Sequence, residues 1–330
     1  MDELYKYLYY KQYGKRMVNG SYANMQGAKL DGIREKRQMF MPINDFEDVF
    51  TELLEDNCSY VVGIEPIWEA GYIPTYIPVI LKDKNPTSKF KAKDKWQIGL
   101  KADECGSRIL NYFDCPTTYD KVVEVDDKEY VASVNFLSML DNYTSIYELM
   151  GNEYLEKKSL KENIEDLKKL FTEMYEDVGY SKRFIESARN FIQDYAYAYL
   201  VNKYVLCNTD YEFNNVGIVG NDLNNGFKMS PSFDLEYTFD LQFEEDGEKW
   251  GQSAKDDILY VYSSMPKVYN KFKHFTRNFT KFKSNGADYV KLIRDVLGND
   301  ENVDELLVYY SDRVEYVANI VAEIMDREMI

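Results

Sequence analysis

The stretch Cys207-Asn208-Thr209-Asp210-Tyr211-Glu212-Phe213-Asn214-Asn215 interrupts the helical half of this 330-residue chain. It runs on through Val216-Gly217-Ile218-Val219, Gly220-Asn221-Asp222-Leu223-Asn224-Asn225-Gly226, Phe227-Lys228-Met229 and Ser230-Pro231-Ser232-Phe233-Asp234. The two short apolar runs read as strands, and Asn-Gly between them is a strong hairpin signal. In a hairpin the start of the first strand and the end of the second lie at one end. Asp210 and Asn215, before the first strand, and Asp234, after the second, are therefore expected to converge.

Such a trio suits phosphoryl transfer. One carboxylate accepts a proton from the attacking hydroxyl, while a second carboxylate and an amide oxygen hold Mg²⁺ against the phosphates of a nucleotide. The Asp210 to Asn215 spacing by itself also fits a turn in which both side chains bond backbone. The ordered set of helix, Asn-Thr-Asp, Asn-Asn, hairpin and Ser-Pro-Ser-Phe-Asp is more specific.

Composition narrows the alternatives. With 40 Lys+Arg against 57 Asp+Glu the net charge is −17, which argues against a direct nucleic-acid partner. Thirty Tyr and 18 Phe argue against disorder. The N-terminus lacks a secretory pattern and no window reads as a membrane span, so neither export nor a membrane partner is expected. Cys58, Cys105, Cys115 and Cys207 are scattered, and His274 is the single histidine. Zinc and histidine acid–base chemistry are therefore not expected, and the cysteine usage suits a reducing cytoplasm.

Outward from the hairpin, the chain divides near 138–143. Residues 1–140 read as β-rich, with runs at Tyr60–Ile64 and Tyr76–Leu81 and a hairpin of Lys121–Val125 with Tyr130–Val134. Within them Ala102–Phe113 has helical spacing and is closed by Pro116. Residues 141–330 read as helical. Ser145 with Glu148 and Ser159 with Glu162 fit capping boxes, and apolar stripes follow over 160–174, 184–199 and 303–325. His274 lies in a basic run and is expected on a solvated helix face, and Tyr5, Tyr9 and Tyr13 share one helical face.

The chain resembles the HipA-like serine/threonine kinases, motif by motif over roughly residues 75–265. The resemblance is carried by Asn208-Thr209-Asp210 with Asn215, by Ser230-Pro231-Ser232-Phe233-Asp234-Leu235, and by Glu104-Cys105-Gly106-Ser107-Arg108-Ile109-Leu110-Asn111-Tyr112-Phe113. It implies an α+β, two-lobed protein-kinase-like fold, with a small β-rich nucleotide-binding N-lobe (1–140) and a larger helical C-lobe (141–330). It also implies ATP and Mg²⁺ as cofactors, a Ser/Thr hydroxyl of a protein or of the chain itself as acceptor, and an antitoxin-like partner. By resemblance Asp210 is the catalytic base, Asn215 and Asp234 bind Mg²⁺, and Glu104 pairs with a nucleotide-binding lysine. Lys91 is the first choice for that lysine, with Lys82 and Lys101 as rivals. Asn19–Tyr22 and Gln26–Lys29 are candidate phosphate-covering loops. The sequence departs from many family members at Tyr211-Glu212, where a basic residue or His commonly stands. That departure leaves a pseudokinase or protein-binding module as the alternative.

Overall fold

A computed structural model describes residues 36–42, 76–83, 98–134 except 126, 136, 142–151, 159–178, 181–240 except 221, 222, 224 and 225, 247–280 and 287–328. The expected strand at 60–64, the Tyr5/Tyr9/Tyr13 face, both glycine turns, Cys58 and Lys91 lie outside the described residues. Strands β1 (Lys36–Pro42), β2 (Tyr76–Lys82), β3 (Asp120–Val125) and β4 (Lys128–Val134) form an antiparallel sheet in the order β1-β2-β4-β3. The β3–β4 hairpin pairs Val122 with Val131 and Asp120 with Ser133. Its turn places Asp127 at φ +61°, a conformation that aspartate tolerates. Helix α1 (Lys101–Tyr112) stands between β2 and β3, as its spacing predicts.

A second antiparallel sheet holds the hairpin of the opening stretch. Strands β6 (Gly217–Gly220) and β7 (Lys228–Met229) pair as expected, and β5 (Asn142–Ser145) adds to the outer edge of β6. Four-residue β5 has too short an alternation to be read in sequence. It runs directly into α2 (Ile146–Met150), where Ser145 and Glu148 close the expected capping box. The second box also forms: Glu162 accepts from the backbone N–H of Ser159 at 2.9 Å and donates its own to Ser159 Oγ at 3.3 Å. It opens α3 (Leu160–Val178).

The remaining described chain is mainly helical: α4 (Lys182–Leu200), α5 (Gly247–Ser264), α6 (Pro266–Phe279), α7 (Asp288–Leu297) and α8 (Glu301–Glu328). Their apolar stripes meet in one large core with α1, containing Ile109, Phe113, Phe191, Tyr195, Phe239, Phe272, Tyr310 and Val317. Val79, Leu81, Val131, Ala132 and Val134 of the first sheet are buried but stand outside that core. His274 is exposed on α6, as expected, with its ring edge against Phe275.

Candidate phosphoryl-transfer site

The site begins where α4 ends. The helix widens into a π turn at Val201–Val205, and Asn202, completely buried, donates its amide to Ala198 O (2.9 Å) and to Ser232 Oγ (3.2 Å). Asn202 O then accepts from the backbone N–H of Asn208 at 2.9 Å. One residue, through its carbonyl and its side chain, thereby ties the loop bearing Asp210 to the segment bearing Asp234. Asn208 Oδ1 in turn accepts from the N–H of Asp210 at 2.9 Å, an Asx turn that fixes the backbone at that residue.

Asp210 and Asn215 are joined directly. Asn215 Nδ2 donates to Asp210 O at 2.8 Å and to Asp210 Oδ2 at 3.1 Å. With its donors so used, the amide has Oδ1 to offer a cation. Burial lifts the Asp210 carboxyl to about 6; the charges of Glu212, Asp234 and Glu236 add to the rise and the Asn215 hydrogen bond opposes it. A carboxyl in that range is ionised at neutral pH and basic enough to take a hydroxyl proton. Tyr211, which follows it, points into the core and stacks on Tyr195 at 19° between planes. The negative charge introduced at this departure is therefore Glu212 alone.

Asp234 follows β7. Ser230 clamps the strand end: its Oγ accepts from Gly217 N (3.0 Å) and its N–H donates to Gly217 O (2.8 Å). Ser232 pairs with Thr117, and Thr118 N donates to Ser232 O at 2.9 Å, which locks the segment to the loop after α1. Asp234 has φ +59°, a left-handed conformation. Phe239 (φ +62°) and Cys207 (φ +54°) share it, and Phe239 N donates to Leu206 O at 2.9 Å. Non-glycine residues held in this region persist where the surroundings over-determine them, a condition met around functional sites.

The first sheet supplies the cation. Lys82, at the end of β2 with its side chain 5 % exposed, places Nζ 3.8 Å from Asp234 Oδ1. Of the three lysines weighed in the sequence, Lys82 is thus beside the trio, Lys101 is exposed at the start of α1, and Lys91 is outside the described residues. Glu104 is not joined to Lys82. Its Oε1 accepts from Arg108 at 2.8 Å and its Oε2 from the N–H of Val122 at 2.9 Å, so it braces α1 against β3. Sequence reasoning favoured Glu104 because helix position alone does not reveal a partner one turn away. The geometry brings together Asp210, Asn215, Asp234 and Lys82, and it leaves Glu104 aside.

The donor set fits Mg²⁺: one amide oxygen and one carboxylate, both hard, with phosphate oxygens to complete the shell. No group of three or more His, Cys, Asp and Glu side chains suited to a metal occurs among the described residues. Burial raises the thiols of Cys115 and Cys207 to about 12 and that of Cys105 further, so they are protonated and inert.

No family model matches the sequence, and no curated protein matches it. Among solved structures, the Helicobacter pylori proinflammatory kinase CtkA is similar over 92% of this chain and 96% of its own, with TM-score 0.53 and 10% identity. The chain has the fold of that kinase. A chain of the complex of the Shewanella oneidensis MR-1 toxin–antitoxin system HipA, HipB and operator DNA matches over 75% of this chain and 60% of its own, with TM-score 0.47 and 11% identity. The kinase-like fold that the motif resemblance implies is thus borne out as a likeness of fold to CtkA. The architecture is mixed α and β, mostly helical with two small antiparallel sheets. Among the described residues no helix is long and apolar enough to cross a membrane.

Proposed function

We propose that this chain is an ATP- and Mg²⁺-dependent kinase that phosphorylates a Ser or Thr hydroxyl, in a protein or in itself. The reading is carried by one observation: Asp210, Asn215, Asp234 and Lys82 meet at one place within a kinase fold. The four-stranded sheet with its separate buried residues would be the nucleotide-binding N-lobe, and the helical core the C-lobe, divided near residue 140. Asp210 takes the proton of the acceptor hydroxyl as its oxygen bonds to the γ-phosphorus; the bond from that phosphorus to the ADP oxygen breaks, and ADP leaves with the electron pair. Asn215 and Asp234 would hold Mg²⁺, which supplies charge neutralisation on the phosphates. Lys82 replaces Lys91 as the residue assigned to the nucleotide phosphates. An antitoxin-like partner remains part of the proposal through the motif resemblance.

The test is transfer of radiolabelled γ-phosphate by wild type and Asp210→Ala, with phosphoamino-acid analysis of the product. Label on Ser or Thr with wild type and its loss in the variant support the reading. Equal incorporation in both overturns it, and thermal stabilisation by Mg-ATP without any transfer turns it toward a nucleotide-binding pseudokinase.

A further inference from the structure

Two charged residues that the proposed reaction does not use both end on Thr209, the residue before Asp210. Lys203, half-buried in the π turn, donates from Nζ to Thr209 O at 3.0 Å. Asp240, which is buried, accepts from Thr209 Oγ1. Thr209 is therefore held by its carbonyl and by its hydroxyl, and each bond has a charged partner. Hydrogen bonds of that kind are roughly twice as strong as those between neutral groups.

The first bond acts directly on Asp210. The carbonyl of Thr209 and the N–H of Asp210 belong to one planar peptide unit. Lys203 holds the oxygen of that unit, and Asn208 Oδ1 holds its N–H at 2.9 Å. The plane cannot rotate without breaking one of the two. On the other side of Asp210, Asn215 Nδ2 holds Asp210 O at 2.8 Å. Both peptide units that flank the Asp210 side chain are thus fixed, and with them the direction in which its carboxylate leaves the backbone.

The second bond ties this loop to the segment of Asp234. Asp240 lies six residues beyond Asp234 and directly follows Phe239, whose backbone is left-handed at φ +62°. The N–H of Phe239 donates to Leu206 O at 2.9 Å and that of Asp240 to Tyr237 O at 3.0 Å. The buried Phe239 ring meets Tyr310 edge-on. The strained turn is over-determined by these neighbours, and it delivers a buried carboxylate to the Thr209 hydroxyl.

We infer that Lys203 and Asp240 are positioning residues for Asp210. By gripping Thr209 between them, they fix the direction of the base and its register with Asp234. The inference rests on the kinase reading and adds to it the residues that hold the base in place.

The experiment combines steady-state phosphate transfer with hydrogen exchange at the Asp210 amide. It compares wild type, Lys203→Met, Lys203→Arg, Thr209→Val and Thr209→Ser, under conditions in which urea titration shows each to be folded. Lys203→Met and Thr209→Val should each lower kcat about tenfold, the scale of one hydrogen bond to a charged group. The ATP KM should stay within about twofold, because the grip acts on the base and not on the nucleotide. Lys203→Arg and Thr209→Ser keep the donor and should recover most of the rate. Exchange at the Asp210 N–H should quicken about tenfold in the two disrupting variants, while the amides of Phe191 and Tyr195 in α4 keep their wild-type rates. A merely structural role would lower the urea midpoint without moving kcat of the folded chain or singling out Asp210. If Thr209→Val does not fold, Lys203→Met, altered at a half-buried position, decides by the same two readouts. An active wild type with unchanged kcat in the disrupting variants, or with a loss confined to KM, overturns this inference alone. A wild type that transfers no phosphate overturns the kinase reading together with it.

Discussion

Lys82 Nζ lies 3.8 Å from Asp234 Oδ1, and this pair joins the four-stranded sheet to the loop that follows the β6–β7 hairpin. The two residues are 152 positions apart, one at the end of β2 and the other in the loop after β7. Their meeting makes one site of what the sequence offers as separate motifs.

The first prediction separates the lysines. Lys82→Met should lower phosphate transfer at least about a hundredfold, the order seen when a charge-stabilising donor is removed from an active site. Lys91→Met should leave transfer within about twofold of wild type, since Lys82 already places a cation beside Asp234. Parallel single-turnover assays of both variants decide the matter. The reverse ranking would return the assignment to Lys91.

The raised Asp210 carboxyl predicts an acid limb. The group must be ionised to accept a proton, so transfer should rise about tenfold per pH unit below about 6 and level off above it. Glu212 contributes to the rise through its negative charge. Glu212→Gln should therefore move the limb to lower pH, with the plateau rate little changed. A limb that stays in place would show that Glu212 has no part in setting the value.

Why the site was only partly legible follows from the kinds of interaction involved. Local pairs are written in the sequence: the capping box of Ser145 and Glu148, the β3–β4 hairpin, and Asn215 reaching back to Asp210. Choosing Lys82 over its rivals needed the pairing of β2 with β4, a long-range contact whose short apolar strands are alike in pattern. Glu104 has the residue type and helix position expected of a lysine partner, yet Arg108 sits one turn on and claims it. Tyr211 reads as a change beside the catalytic position, and only the fold turns its ring inward against Tyr195.

Gly106 tests how closely α1 approaches the segment that follows Asp234. A Cβ there would run into Thr238 Oγ1 and lie 3.1 Å from Leu235 Cβ. Thr238 Oγ1 is itself fixed by donation to Leu235 O at 2.8 Å, so it cannot swing away freely. Gly106→Ala should cost about 1–3 kcal/mol of stability despite the better helix propensity of alanine. Urea unfolding measures this. A neutral or stabilising result would mean that α1 can slide on the 235–238 turn.

Asp257 gives a stability prediction away from the chemistry. This α5 carboxylate accepts from Tyr204 OH at 2.6 Å and from the N–H of Leu160 at 3.2 Å, joining α5 to the π turn and to the start of α3. Burial nevertheless raises it from 3.8 to about 6, outweighing both hydrogen bonds. Between those values the folded chain binds a proton that the unfolded chain has released, so this group's contribution to stability falls as pH rises from about 4 to 6 and is level above. In Asp257→Asn the amide oxygen can still accept from Leu160 and Nδ2 can donate to the Tyr204 oxygen, while the buried charge is gone. The variant should therefore gain stability relative to wild type between pH 4.5 and pH 7.5, read as a widening difference in urea midpoint. A difference that stays constant across that range would show that Asp257 is ionised in the folded protein as readily as in water.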